Sequence, residues 1–328
     1  MKNLAKFLNL LIIVVLSVSV LSCNDDDEME GLQVELQTNT IADFVVDNSN
    51  NYSSLLAALT KANLVETLSG NGPFTVFAPD NDAFSAFLSA NGFANLDAVP
   101  EDALRQILLN HVVSGAVKST DLTTGYIQTL STATPNNSHI SMFVNTNGGV
   151  KLNGISDVTG ADNILDNGVV HLVNEVIGLP TVVTFATADP TFSTLVTALT
   201  RADQPNFVSV LSTSNGTDPA PFTVFAPTND AFGALLTELG AGGLTDIDAA
   251  TLTATLNHHV VGGANVTADM LSDAMTVTTL GGDITADITG GAKLTDANGR
   301  ISNIIAVNVQ ASNGVIHAID KVILPNLN

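Results

Sequence analysis

The twelve-residue phrase PFTVFAPDNDAF runs from Pro73 to Phe84 and returns, with one letter changed, as PFTVFAPTNDAF from Pro221 to Phe232, 148 residues later. The correspondence extends to other segments in the same order. SSLLAALTKAN (Ser53 to Asn63) matches STLVTALTRAD (Ser193 to Asp203), and LNHVVSG from Leu109 matches NHHVVGG from Asn257. NGVVHLVNEVIGLP from Asn167 matches NGVIHAIDKVILP from Asn313. A repeat this long is a duplicated domain rather than a solenoid turn. Each copy is long enough to bury a core of its own, so two separately cored units are expected.

Both copies read the same way. Thr40 is placed to cap a helix whose inward face carries Ile41, Phe44 and Val45. Helical spacing then runs from Tyr52 through Leu55, Leu59 and Leu64 to Gly70. FTVFA is a short buried strand, followed by helices over Asn81 to Ala90 and over EDALRQILLN. From HVVSG onward the chain reads as strands separated by Gly, Asp and Asn turns. Helices first and antiparallel strands later make an α+β unit. Thr181 follows Pro180 with almost no linker, so the two units should touch.

The repeated phrase itself has the chemistry of a strand-to-helix joint. Its one variable position is Asp80 in the first copy and Thr228 in the second, both good N-caps. Asp82 and Asp230 then fall in the first turn, where a carboxylate meets the positive end of the helix dipole. Pro79 and Pro227 end the strand. A catalytic group would not survive an Asp-for-Thr exchange, so both phrases are expected to be structural.

TVFAPxNDAF, the NHVV segment and the closing NGVIHAIDKVILP, found in order in both halves, resemble the fasciclin domain family. The resemblance covers about Thr40 to Pro325. It implies two tandem domains, each a twisted β-sandwich or wedge with packed helices, and a role in extracellular adhesion or matrix contact. Many family members carry Tyr-His in the middle motif. This chain has Asn110-His111 and His258-His259 there, so an integrin-type contact does not carry over. These four residues are the candidate interaction or structural motif.

His111 matches His259 and His171 matches His317, while His139 and His258 stand alone. No HExxH, phosphate loop or nucleophile elbow accompanies them. The expected role is structural: half-buried rings hydrogen-bonded to backbone or a neighbour. His258 and His259, read as strand residues, would face opposite ways. No catalytic residue, cofactor or metal is expected, and scattered Asp residues do not form an EF-hand loop. A surface lipoprotein binding a glycan or small ligand is the alternative, but for stacking on sugars the chain has no Trp and only Tyr52 and Tyr126, both expected to be structural.

Ahead of the repeats, Lys2 and Lys6 precede an apolar run from Leu8 to Leu21, which reads as an export signal over residues 1–22. VLSC resembles a bacterial lipobox, making Cys23, the only cysteine, the lipid attachment point. NDDDEMEG follows, and residues 23–39 read as an acidic flexible tether before domains at 40–180 and 181–328. The acidic run also resembles the surface-export signal of Bacteroidetes lipoproteins. The net charge of −22 and the scattered Lys and Arg residues exclude nucleic acid as a partner. The sequence therefore predicts a non-enzymatic cell-envelope lipoprotein, at the outer membrane or cell surface. Its partners would be the membrane and a cell-surface or matrix protein or glycan.

Overall fold

The computed structural model describes residues 39–326. The signal and lipid-attachment expectations, and the tether up to residue 38, lie outside them. The described residues belong to one compact unit holding both repeats.

In the first repeat, α1 (Ile41–Asp47), α2 (Ser49–Lys61) and α3 (Val65–Ser69) lead into β1 (Phe74–Pro79), α4 (Asn81–Ala90) and α5 (Glu101–Leu109). The strands β2 (Val112–Ser114), β3 (Gly125–Ala133), β4 (Ser138–Asn145), β5 (Lys151–Leu152), β6 (Ser156–Leu165) and β7 (Gly168–Val173) follow. The second repeat repeats the course. It runs α6 (Val182–Ala188), α7 (Ser193–Leu199), α8 (Phe207–Leu211), β8 (Phe222–Pro227), α9 (Asn229–Leu239) and α10 (Ala249–Asn257). Its later strands are β9 (Val260–Gly262), β10 (Met275–Thr279), β11 (Gly282–Asp287), β12 (Lys293–Thr295), β13 (Ile301–Ala311) and β14 (Gly314–Ile319). Two sequence expectations change here. The single helix read from Tyr52 to Gly70 is broken at Asn63, which takes the left-handed φ of 54°. That break lets Leu64 turn inward, where it is 2% exposed. The sheet is also not wholly antiparallel, because β1 pairs parallel with β7, and β8 with β14.

Each repeat is a mixed α/β domain around one curled seven-stranded sheet. In the first the sheet closes into a barrel; in the second the strand order is β10-β11-β12-β13-β14-β8-β9. The period-two alternation of β1 explains the two-layered core. Val76 and Ala78 face the helices, meeting Leu55, Leu59, Phe84 and Leu104. Phe77 points the other way, into the sheet's own interior with Met142, Val144, Leu152 and Ile177. Phe225 does the same in the second repeat, against Ile284, Leu294 and Ile319. The parallel pairing needs a close backbone approach: a Cβ on Gly168 would lie 2.0 Å from the carbonyl oxygen of Phe74, and one on Gly314 would lie 2.3 Å from that of Phe222.

Each repeat keeps core clusters of its own, with one exchange across the boundary. Phe143 of β4 belongs to the helix-side core of the second repeat. Tyr126 joins it there, its ring centre 5.1 Å from Phe143 and 5.5 Å from Phe185. The absence of a linker explains this. Pro180 ends the first repeat against the turn between β13 and β14, where its carbonyl accepts from Ser312 N–H at 2.8 Å and Ser312 Oγ at 2.7 Å.

Candidate functional site

The two repeated phrases form joints of matching geometry. Asp80 Oδ1 accepts from Ala83 N–H at 2.8 Å, and Thr228 Oγ1 accepts from Ala231 N–H at 3.2 Å. Asp82 and Asp230 stand in the first turns of α4 and α9. The next letter ties the joint to another helix. Asn81 Oδ1 accepts from Ser54 N–H at 2.9 Å, while its Nδ2 donates to Asn50 O at 3.0 Å. Asn229 makes the same pair with Thr194 N–H at 2.8 Å and Pro190 O at 2.9 Å. Phe84 and Phe232 are each 1% exposed beneath.

The matched histidines are fully buried rather than half-buried: His111 and His259 are 2% exposed, His171 and His317 0%. His111 Nε2 accepts from Ile177 N–H at 2.8 Å, so Nδ1 carries the proton and donates to Ile107 O at 2.8 Å. His259 repeats this with Ile323 N–H at 3.0 Å and Thr255 O at 2.8 Å. Each ring bridges the end of a helix to the segment after the last strand. Protonation would set an N–H against an N–H. Burial, partly offset by the backbone hydrogen bond, lowers the pKa of both rings to about 4. His171 and His317 use the opposite tautomer, each Nε2 donating to a carbonyl, Val117 O at 3.0 Å and Val266 O at 2.9 Å. These rings stack on Phe77 and Phe225.

Asn110 and His258 occupy the matched position just after α5 and α10. They are not strand residues: His258 caps α10, and its Nδ1 meets Ala254 O at 2.9 Å. His258 and His259 therefore both turn back to the helix instead of facing opposite ways across a strand. Asn110 Nδ2 donates to Gly178 O at 3.1 Å, and its Oδ1 accepts from Thr129 Oγ1 at 3.3 Å. With Asn110 at 0% and His258 at 6% exposure, this whole motif is interior in the folded domain. His139 lies apart from it, on β4.

The asparagines that open the two NGV motifs have a role that the repeat alone does not reveal. Asn167 Oδ1 accepts from Ile41 N–H at 2.9 Å, and its Nδ2 donates to Leu68 O at 2.7 Å and Gly70 O at 2.9 Å. Asn313 holds Val182 N–H, Leu211 O and Thr213 O in the same way. One side chain thus fastens the first and third helices of each repeat to its last hairpin. The signal was available: an Asn before a Gly at the same place in both halves.

Tyr126 was expected to be structural, and its role lies between the repeats. Its hydroxyl donates to Asp189 Oδ2 at 3.0 Å, and burial and the Asp189 charge push its pKa up. Beside this seam runs a polar cleft of about 360 Å³, lined from both repeats by residues that include Gln128, Asn136, His139, Asp269 and Asn308. Among the described residues, no group of three or more His, Cys, Asp and Glu side chains could hold a metal ion.

The fasciclin domain model matches residues 50–180 and 190–325. Protein sll1483 of Synechocystis is 40% identical over 138 residues, covering 42% of this chain and 72% of its own length. Transforming growth factor-beta-induced protein ig-h3 of Oryctolagus cuniculus is 30% identical over 296 residues, covering 82% of this chain but 40% of its own. The solved FAS1 domain pair from the insect cell adhesion molecule Fasciclin I superposes with a TM-score of 0.54, covering 86% of this chain and 98% of that one. At 18% identity that likeness is one of fold. With the family model matching twice, over the two repeats whose joints, clamps and sheets correspond, the chain belongs to the fasciclin domain family as a tandem pair.

Proposed function

We propose that the chain is a non-enzymatic adhesion or interaction protein, displayed outside the cytoplasm and tethered to the membrane through a lipid on Cys23. The observation that carries the reading is the use to which its polar residues are put. The repeated Asp, Asn and His side chains are spent on caps and clamps inside each domain, which is the economy of a rigid presenting scaffold. The family match supports it, since the FAS1 pair that this chain resembles in fold comes from a cell adhesion molecule. The VLSC segment and the acidic run after it support an anchored, exported chain.

The test combines anchoring with contact. Cys23→Ala should leave the chain unprocessed and unacylated, and cells carrying it should lose adhesion that the wild-type chain confers. A processed, acylated Cys23→Ala protein would refute the anchor. Adhesion that is unaltered when the chain is deleted would refute the role.

A second reading, a surface lipoprotein binding a glycan, draws on the polar cleft between the repeats. Its amide, hydroxyl, imidazole and carboxylate groups suit a polyhydroxylated ligand. Specific binding to a glycan array, lost on Gln128→Ala, would favour it over the adhesion reading.

A further inference from the structure

The second repeat contains an apolar cavity of about 210 Å³ between α6, α7, α8 and the sheet. Val224 and Ala226 of β8 and Ile316 of β14 form its floor, with Phe192, Leu195 and Leu211 around them. Protein interiors are close-packed, with few voids larger than a water molecule. A cavity of about 150 Å³ lined by Leu, Ile and Phe stays dry and takes up benzene. The present one is larger. It also reaches the surface: Val208, one of its lining residues, is 36% exposed, and Val210 beside it on α8 is 42% exposed.

We infer that this cavity is a binding site for an uncharged hydrocarbon group, aryl or alkyl, larger than benzene. The lining chemistry identifies the ligand class. Only two lining residues, Thr187 and Thr200, have polar side chains, and both hydroxyls are already used. Thr187 Oγ1 donates to Val183 O at 2.9 Å, and Thr200 Oγ1 donates to Val196 O at 2.8 Å. No lining side chain is charged. A carboxylate or phosphate headgroup would find no partner there and would enter against the field of a chain of net charge −22. Burial of apolar surface supplies the affinity, and the site makes no use of the buried histidines or of the inter-repeat cleft. It is therefore independent of the adhesion reading.

The neutral probe N-phenyl-1-naphthylamine tests the site on the two-domain chain, by its fluorescence increase on leaving water. One saturable site per chain is expected. Decan-1-ol should displace the probe, and decanoate should do so about tenfold less well, because its charge has no partner in the cavity. Ala186→Val with Val196→Leu fills the space with the residues that the first repeat has at the matched positions, Val45 and Leu56. That variant should weaken probe binding about tenfold or more while remaining folded. If it fails to fold, Val208→Glu decides the matter: it places a carboxylate at the exposed rim without touching the floor and should weaken the probe to a similar degree. Undiminished probe binding in the folded variants, or no saturable binding in the wild-type chain, would overturn the site. Equal displacement by decanoate and decan-1-ol would overturn the uncharged-ligand assignment.

Discussion

Acid should destabilise this protein well before its carboxylates are protonated, and the two clamp histidines, with His317 shifted the same way by burial, carry the effect. An ordinary histidine titrates near 6.5, whereas His111 and His259 are held at about 4 in the folded chain. The folded pKa is thus the lower one. Between these two values the unfolded chain binds more protons than the native chain, so stability is complete above about pH 6.5 and falls as the pH drops toward 4. A full shift of about 2.5 units corresponds to roughly 3 kcal/mol per ring. From pH 7 to pH 5 alone, the loss is about 2 kcal/mol per ring. Urea unfolding at pH 7, 6 and 5 measures this directly, with His111→Gln and His259→Gln as controls. Each variant should start less stable, because Gln cannot hold the same pair of backbone groups. Each should also show a shallower pH dependence than wild type, by about 2 kcal/mol over that interval. Differencing variant against wild type cancels the carboxylate contributions common to both. An unchanged pH slope in either variant would refute the assignment of that ring as a neutral clamp.

Two further predictions concern the joints and the seam. Asp80→Ala and Thr228→Ala should each cost about 0.5–2 kcal/mol by removing an N-cap, whereas the exchange pair Asp80→Thr and Thr228→Asp should be nearly silent in calorimetry. A folded exchange variant that loses partner binding would move the functional surface to the joint. Phe143→Ala should cost about 3–5 kcal/mol, and calorimetry should show the second repeat losing stability although the substitution lies in the first. A loss confined to the first repeat would show that the seam does not couple the two.

Much of the fold is legible along the chain because its determinants are local. Thr40 and Thr181 both form capping boxes with the residue three positions on, Asp43 and Thr184. The alternation in FTVFAP already distinguishes Val76 and Ala78 from Phe77. The matched histidines could be singled out from the repeat, but not their tautomers. Those depend on Ile177 and Ile323, which are 66 and 64 residues away in sequence. The strand reading of His258 and His259 failed for a related reason. The VV run beside them is a true strand signal, but α10 ends only at Asn257, and both rings turn back onto its last carbonyls.

The sequence by itself determined the duplication, the α+β character of each unit, the caps at Asp80 and Thr228, and the net charge of −22. Composition, short-range periodicity and side chains acting within three or four residues suffice for those. The tertiary structure decided how the parts share space. It made the first and last strands of each repeat parallel neighbours and moved Phe143 into the other repeat's core. It also joined Tyr126 to Asp189 across the seam and left an apolar cavity between α6, α7 and α8. Each of these depends on contacts between residues far apart in the chain, where burial and shape rather than local propensity select the partner.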